Sequence, residues 1–148
     1  MGVILKVKRI GKTARLPYRA SRGAAAYDLC ACTDTPISVP VGEFRNIPTG
    51  IAIELPDENH VALIFSRSGH GAKLGLSLVN SVGVIDSDYR GEISVGIINH
   101  GSETFTVSDG DRIAQMMLTT CIPLDIVESD SLSDTERGAG GFGSTGAK

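Results

Sequence analysis

Residues 51–65 read Ile51-Ala52-Ile53-Glu54-Leu55-Pro56-Asp57-Glu58-Asn59-His60-Val61-Ala62-Leu63-Ile64-Phe65. Ile51, Ile53 and Leu55 recur every second position, the period of a strand with one buried face. Pro56, Asp57 and Asn59 then break the chain, and residues 61–65 form an unbroken apolar run, as in a strand covered on both faces. Outward from here the pattern repeats. Val3, Leu5 and Val7 alternate, as do Ile37, Val39 and Val41, and Ile122, Leu124 and Ile126. Short apolar runs fill residues 76–79, 93–98, 105–107 and 113–118. Glycine, proline, Asn or Asp separates nearly all of them. Many short strands punctuated by turns predict an all-β sandwich, jelly roll or barrel. Helical periodicity nowhere exceeds about two turns, and residues 66–74 are the best candidate for a short helix. No internal repeat is visible.

The chain has 148 residues, the size of one domain with its own core. Its net charge of −3 argues against a general nucleic-acid binder, which needs a strongly basic face to release counterions. Aromatics make up only 5%, with no Trp, leaving few stacking platforms for single strands. Cys30, Cys32 and Cys121 are odd in number and have no second ligand pair, so they read as small thiols and not as a disulfide framework or a zinc site. The N-terminus lacks a signal-peptide pattern, and no apolar run approaches the roughly 20 residues needed to span a bilayer. A cytoplasmic protein is expected. Glycine is in excess at 18 residues. None lies between Gly110 and Gly138, and five fall in the last eleven positions. With the acidic, serine-rich stretch Glu128 to Glu136, this divides the chain into a β domain over residues 1–127 and a linker with a flexible C-terminal arm over residues 128–148.

Five segments could carry chemistry. Arg137-Gly138-Ala139-Gly140-Gly141-Phe142-Gly143-Ser144-Thr145-Gly146 combines backbone that can approach a phosphate, a guanidinium, two hydroxyls and one aromatic ring. Ser144 stands where a Walker loop needs Lys, so that motif is rejected. Arg67-Ser68-Gly69-His70-Gly71-Ala72-Lys73-Leu74-Gly75 offers donors suited to an anion. Asn80-Ser81-Val82-Gly83-Val84-Ile85-Asp86-Ser87-Asp88-Tyr89-Arg90-Gly91 reads as a β-hairpin with two carboxylates at its tip. One of these could orient and deprotonate a water beside a polyphosphate. Tyr89 offers a flat face to a sugar, and Asn80 an amide to a pyrimidine edge. In Gly110-Asp111-Arg112-Ile113-Ala114-Gln115, Arg112 reads as an ion-pair partner and Gln115 as a polar residue on an apolar strand. In Ala25-Ala26-Tyr27-Asp28-Leu29, Asp28 lies among apolar residues and needs a partner or a metal. Each segment taken singly reads more readily as an ordinary tail, loop or turn than as a site.

In order and spacing, these five segments together resemble the five motifs of the trimeric dUTP pyrophosphatases (dUTPases), most closely the bacterial type. The resemblance implies a jelly-roll-like β subunit in a homotrimer, with three sites at subunit interfaces and an arm from another subunit closing each. It implies hydrolysis of dUTP to dUMP and pyrophosphate with Mg²⁺, limiting uracil in DNA and supplying dUMP for dTMP synthesis. By motif, Asp86 would activate the water that attacks the α-phosphorus, and Asp28 would hold Mg²⁺ through water. Arg67, Ser68, Gly69 and Gln115 would bind phosphates, with Arg67 also counted as catalytic. Asn80, Val84 and Ile85 would read uracil, and Tyr89 would pack on the deoxyribose. Arg137, Gly143, Ser144 and Thr145 would close over the phosphates, with Phe142 stacked on the base.

Three positions depart from the usual family pattern. Ala26 replaces a Gly, Ser66 a Pro, and His70 a commonly apolar residue. If position 26 needs φ > 0, Ala costs about 1 kcal/mol there, and Ser66 would loosen the loop before Arg67. Two rival readings remain: a dCTP deaminase on the same fold, and a non-enzymatic β-trimer that binds a regulatory partner through its arm.

Overall fold

Alternating apolar residues become strands wherever a neighbour satisfies the backbone, and every strand pairing among the described residues is antiparallel. The computed structural model describes residues 2–141. The described elements run β1 (Lys6–Arg9), β2 (Tyr27–Cys30), β3 (Ile37–Val39), β4 (Phe44–Pro48), β5 (Ile51–Glu54), β6 (His60–Phe65), α1 (Ser68–Leu74), β7 (Leu76–Leu78), β8 (Val82–Ile85), β9 (Ser94–Asn99), β10 (Phe105–Val107) and β11 (Arg112–Thr120). One sheet has the order β2-β11-β6-β8 and a second β4-β9-β7, with two-stranded ribbons β1-β5 and β10-β3. Leu29, Ala62, Ile64, Ala114 and Met116 from the first sheet share one core with Ile47, Leu76, Leu78, Val95 and Ile97 from the second. The ribbons add Val39, Ile51, Ile53 and Val107. This is the expected jelly-roll-like sandwich with one short helix. Each fully buried Ile or Leu contributes roughly 1.5–3 kcal/mol of apolar transfer.

Buried polar groups at the ends of the sandwich are satisfied from several elements at once. Asn99 is fully buried, and its amide nitrogen donates to the carbonyls of Val39 and Glu103 while its oxygen accepts the Gly101 N–H. Thr49 donates to the Ile93 carbonyl at 2.6 Å.

Several sequence expectations shift. β1 starts at Lys6, because nothing pairs with residues 3–5 within one chain. β3 stops at Val39, before Pro40, which lacks an N–H, and Gly42 turns the chain with φ +78°. The helix begins at Ser68, with Arg67 extended as its N-cap. Residues 122–126, expected as a strand, form none. Ile122, Leu124 and Ile126 stand exposed after β11. Two strands went unforeseen: β2, interrupted by Asp28, and β4, whose Arg45, Asn46 and Pro48 break the apolar pattern. The hairpin reading of residues 80–91 is corrected as well. β8 pairs with β6, while the next strand, β9, pairs with β4 and β7 in the other sheet. The segment is therefore a turn that passes between layers, not a two-stranded ribbon.

Candidate active site

The first sheet carries one candidate half-site at each edge. On the β2 side, a cleft of about 490 Å³ is lined by Ala24, Ala25, Ala26, Asp28, Phe65, Arg67, Ser68, Gly69, Arg112 and Gln115, among others. β2 and β11 pair with a register shift between Arg112 and Ala114. Without it, residues 112 and 115 would face opposite sides of the strand. The extra residue buries Ile113 and Ala114 in succession and returns Gln115 to the side of Arg112.

Asp28 is the buried centre of this cleft, at 8% exposure. Its N–H donates to the Tyr18 carbonyl. Its Oδ1 accepts from Arg67 Nε at 3.1 Å and its Oδ2 from Arg112 Nη1 at 3.2 Å. The hydrogen bond from Arg112 to Asp28, and then their charge attraction, hold the Arg112 proton more firmly than usual. Arg67 also donates to the Arg112 carbonyl. Gln115 donates to the Ser66 carbonyl at 2.9 Å, which fixes the loop before Arg67 from the β11 side. The expected looseness at Ser66 is corrected: its Oγ accepts the Leu78 N–H at 2.9 Å and ties the loop to β7. Ala26 carries no strain, since Ser81 is the only non-glycine with positive φ among the described residues.

On the β8 side, a smaller cleft of about 330 Å³ gathers Val84, Ile85, Asp86, Tyr89 and Glu92. The Tyr89 N–H closes the turn on the Asp86 carbonyl, and the Tyr89 hydroxyl donates to the Glu92 carbonyl at 2.9 Å. Arg90 Nη1 ties down the tip by donating to the Ser87 and Tyr89 carbonyls. Gly91 is required by this packing, because a Cβ there would overlap the Tyr89 hydroxyl. Asp86 is exposed, and among the described residues its carboxylate has no ion pair or side-chain hydrogen bond.

The two clefts share no residue. Asp28, Gln115, Phe65 and Val82 form one row across the sheet, so about 14 Å, three strand spacings, separates its ends. Within one chain the structure therefore brings Asp28, Arg67, Ser68, Gly69 and Gln115 together, and separately Val84, Ile85, Asp86 and Tyr89. Asn80 lies exposed on the turn between β7 and β8, outside both clefts. Arg137 is exposed beyond β11, its Nε donating to the Gly140 carbonyl. Phe142, Gly143, Ser144 and Thr145 lie outside the described residues. Arg112, read from sequence only as an ion-pair partner, is a cleft residue; its place beside Gln115 was the available signal. His70 was marked as a departure, yet its contact with Arg67 needed coordinates.

Among the described residues, no three His, Cys, Asp or Glu side chains cluster to cage a metal. No described helix is long and apolar enough to cross a membrane.

The dUTPase family model matches residues 12–146. A deoxyuridine 5'-triphosphate nucleotidohydrolase of Desulfitobacterium hafniense is 51% identical over 96% of this chain and 97% of its own. One from Hahella chejuensis is 48% identical over 95% and 93%. The dUTPase of Staphylococcus bacteriophage 80alpha, solved with dUPNHPP, superposes with a TM-score of 0.88 at 27% identity, covering 97% of this chain and 98% of that one.

Proposed function

This chain belongs to the dUTPase family, and we propose from that premise that it hydrolyses dUTP to dUMP and pyrophosphate by attack of water on the α-phosphorus. The observation that carries the reading is the division of labour across one sheet. A cleft with two guanidiniums stands at one edge, and an unpaired carboxylate beside a tyrosine ring stands at the other.

Arg67, Ser68, Gly69 and Gln115 bind the triphosphate, whose charge of nearly four must be neutralised locally on a protein that is itself net negative. Arg67 is prepared for this: Asp28 and the Arg112 carbonyl hold it on one side, so little side-chain entropy is lost when phosphate arrives. Asp86 has no competing side-chain partner among the described residues and accepts the proton of the attacking water. Backbone around Val84 and Ile85, together with Asn80, reads uracil. A tight wall excludes the thymine methyl by clash and cytosine by leaving buried groups unpaired. Tyr89 packs on the sugar at C2′. Arg137, Gly143, Ser144 and Thr145 close over the phosphates, and Phe142 covers the base.

The donor set fits a hydrated Mg²⁺, which Asp28 would hold through water. Asp28 already accepts two guanidinium bonds and keeps lone pairs for a water in the ion's shell. When bound, Mg²⁺ supplies charge neutralisation at the phosphoryl oxygens.

The separation of the two half-sites is met by a homotrimer in which clefts of different subunits face each other. Leu63, Phe65 and Met117 are half-buried on the outer face of the first sheet, and Val82 and Val84 are exposed there. With Ile122, Leu124 and Ile126 they leave apolar surface for a neighbouring subunit to cover. Light scattering should give three times 15.5 kDa; a monomer would refute the shared site. Residues 1–127 form the β domain of this unit and residues 128–148 its arm. The enzyme works in the cytoplasm, limiting uracil in DNA and supplying dUMP for dTMP synthesis.

The deciding experiment presents each nucleoside triphosphate with Mg²⁺ and follows pyrophosphate and base identity. Turnover of dUTP with little of dTTP, dCTP or UTP is expected. Equal turnover of all four refutes the specificity reading, and ammonia released from dCTP points to a deaminase.

A further inference from the structure

Arg67 has three partners besides any ligand. Nε donates to Asp28, and Nη1 donates to the Arg112 carbonyl and lies 3.3 Å from Nε2 of His70. A guanidinium has donors only, so the imidazole nitrogen facing it must be the bare one, and the ring proton sits on Nδ1. Helix α1 brings His70 round to this position three residues after Arg67. The ring is half-buried and packs against Phe105 of β10, with centroids 5.8 Å apart and planes at 57°.

We propose that His70 is a positioning residue for Arg67: its bare Nε2 accepts a guanidinium N–H and holds Arg67 in its cleft-facing pose, and a proton on that nitrogen removes the acceptor. The proposal rests on the reading of Arg67 as a phosphate ligand. His70 touches neither the bound triphosphate nor Asp86 in this account; it acts through Arg67 alone.

The charged groups facing the ring come from three directions. Arg67 precedes α1, Asp111 and Arg112 come from the start of β11, and Asp28 from β2, while Phe105 contributes no charge. Burial, and then the Arg67 charge, push His70 below its ordinary value of 6.5, with Asp111 and Asp28 opposing. The native state therefore binds the His70 proton less readily than the unfolded chain does. The clamp is therefore intact at the ordinary histidine value and fails only as pH falls through the lower value of the native state.

Two measurements on the full chain test this. Nitrogen NMR of the ligand-free protein should show His70 as the Nδ1–H tautomer with a midpoint below that of an exposed histidine; an Nε2–H tautomer overturns the proposal. KM for dUTP is then compared at pH 7.5 and 5.5 for the wild type, His70→Gln and His70→Leu. The substrate's own titration is common to all three and cancels. On acidification the wild-type KM should rise more than that of His70→Gln, whose amide oxygen accepts at both pH values, because only the fraction with an intact clamp binds. His70→Leu should start with a raised KM at pH 7.5 and show no extra acid rise. Wild-type behaviour in His70→Leu at both pH values overturns the proposal. An unchanged KM in Arg67→Ala would instead refute the phosphate role of Arg67, and the tautomer result would still stand.

Discussion

Asp28 lies on one edge strand of the first sheet, β2, and Asp86 directly after the other, β8, and their surroundings are opposite. Asp28 is buried and spends both oxygens on guanidiniums. Asp86 is exposed, and its carboxylate is free of side-chain partners among the described residues. A buried carboxylate must be paired to offset its lost hydration, and the pairing fixes Arg67 and Arg112 as a by-product. A carboxylate that is to take a proton from water must instead be unencumbered. In the proposed mechanism one residue type would serve as scaffold at one edge and as reagent at the other.

Substitutions separate the two roles. Asp86→Asn should lower kcat by about 10³-fold, since it removes the proposed proton acceptor, while the melting temperature stays within about 2 °C, as for an exposed site. Retained turnover would break the comparison from the Asp86 side. Asp28→Ala should act first on stability. It strands two cations, one of them 43% exposed, so a loss of about 3 kcal/mol is expected, or roughly 6–12 °C in melting temperature. An unchanged melting curve would show that the ion pairs contribute nothing. Ser66→Ala, which removes the acceptor of a buried N–H, should cost about 1 kcal/mol in denaturant titration. Ala26→Gly should destabilise by about 0.5 kcal/mol, because position 26 has no positive φ to relieve and glycine only loosens the unfolded chain. A gain in stability would mean that Ala26 is strained.

The middle of this sheet is far more legible in the sequence than its edges. β6 and β11 were readable because their apolar runs are long and bounded by turn residues. β2 was hidden by the residue that makes it useful, since an Asp within Tyr27-Asp28-Leu29-Cys30 breaks the pattern that identifies strands. The turn holding Asp86 was located correctly, but its flanking strands join different sheets, a long-range choice that no local pattern encodes. Asp28, Arg67, Ser68, Gly69 and Gln115 were named from motif order, and the cleft gathers all five. The bulge that brings Gln115 round beside Arg112 depends on pairing between residues more than 80 positions apart. The contact between His70 and Arg67 needed side-chain positions.

The central claim is that water, activated at Asp86, attacks the α-phosphorus of dUTP. Hydrolysis in water enriched with oxygen-18, read by mass spectrometry of both products, tests it most directly. The account predicts one heavy oxygen in dUMP and none in pyrophosphate, with the labelling lost together with turnover in Asp86→Asn. Heavy oxygen in the pyrophosphate would place the attack on the β-phosphorus and contradict the account.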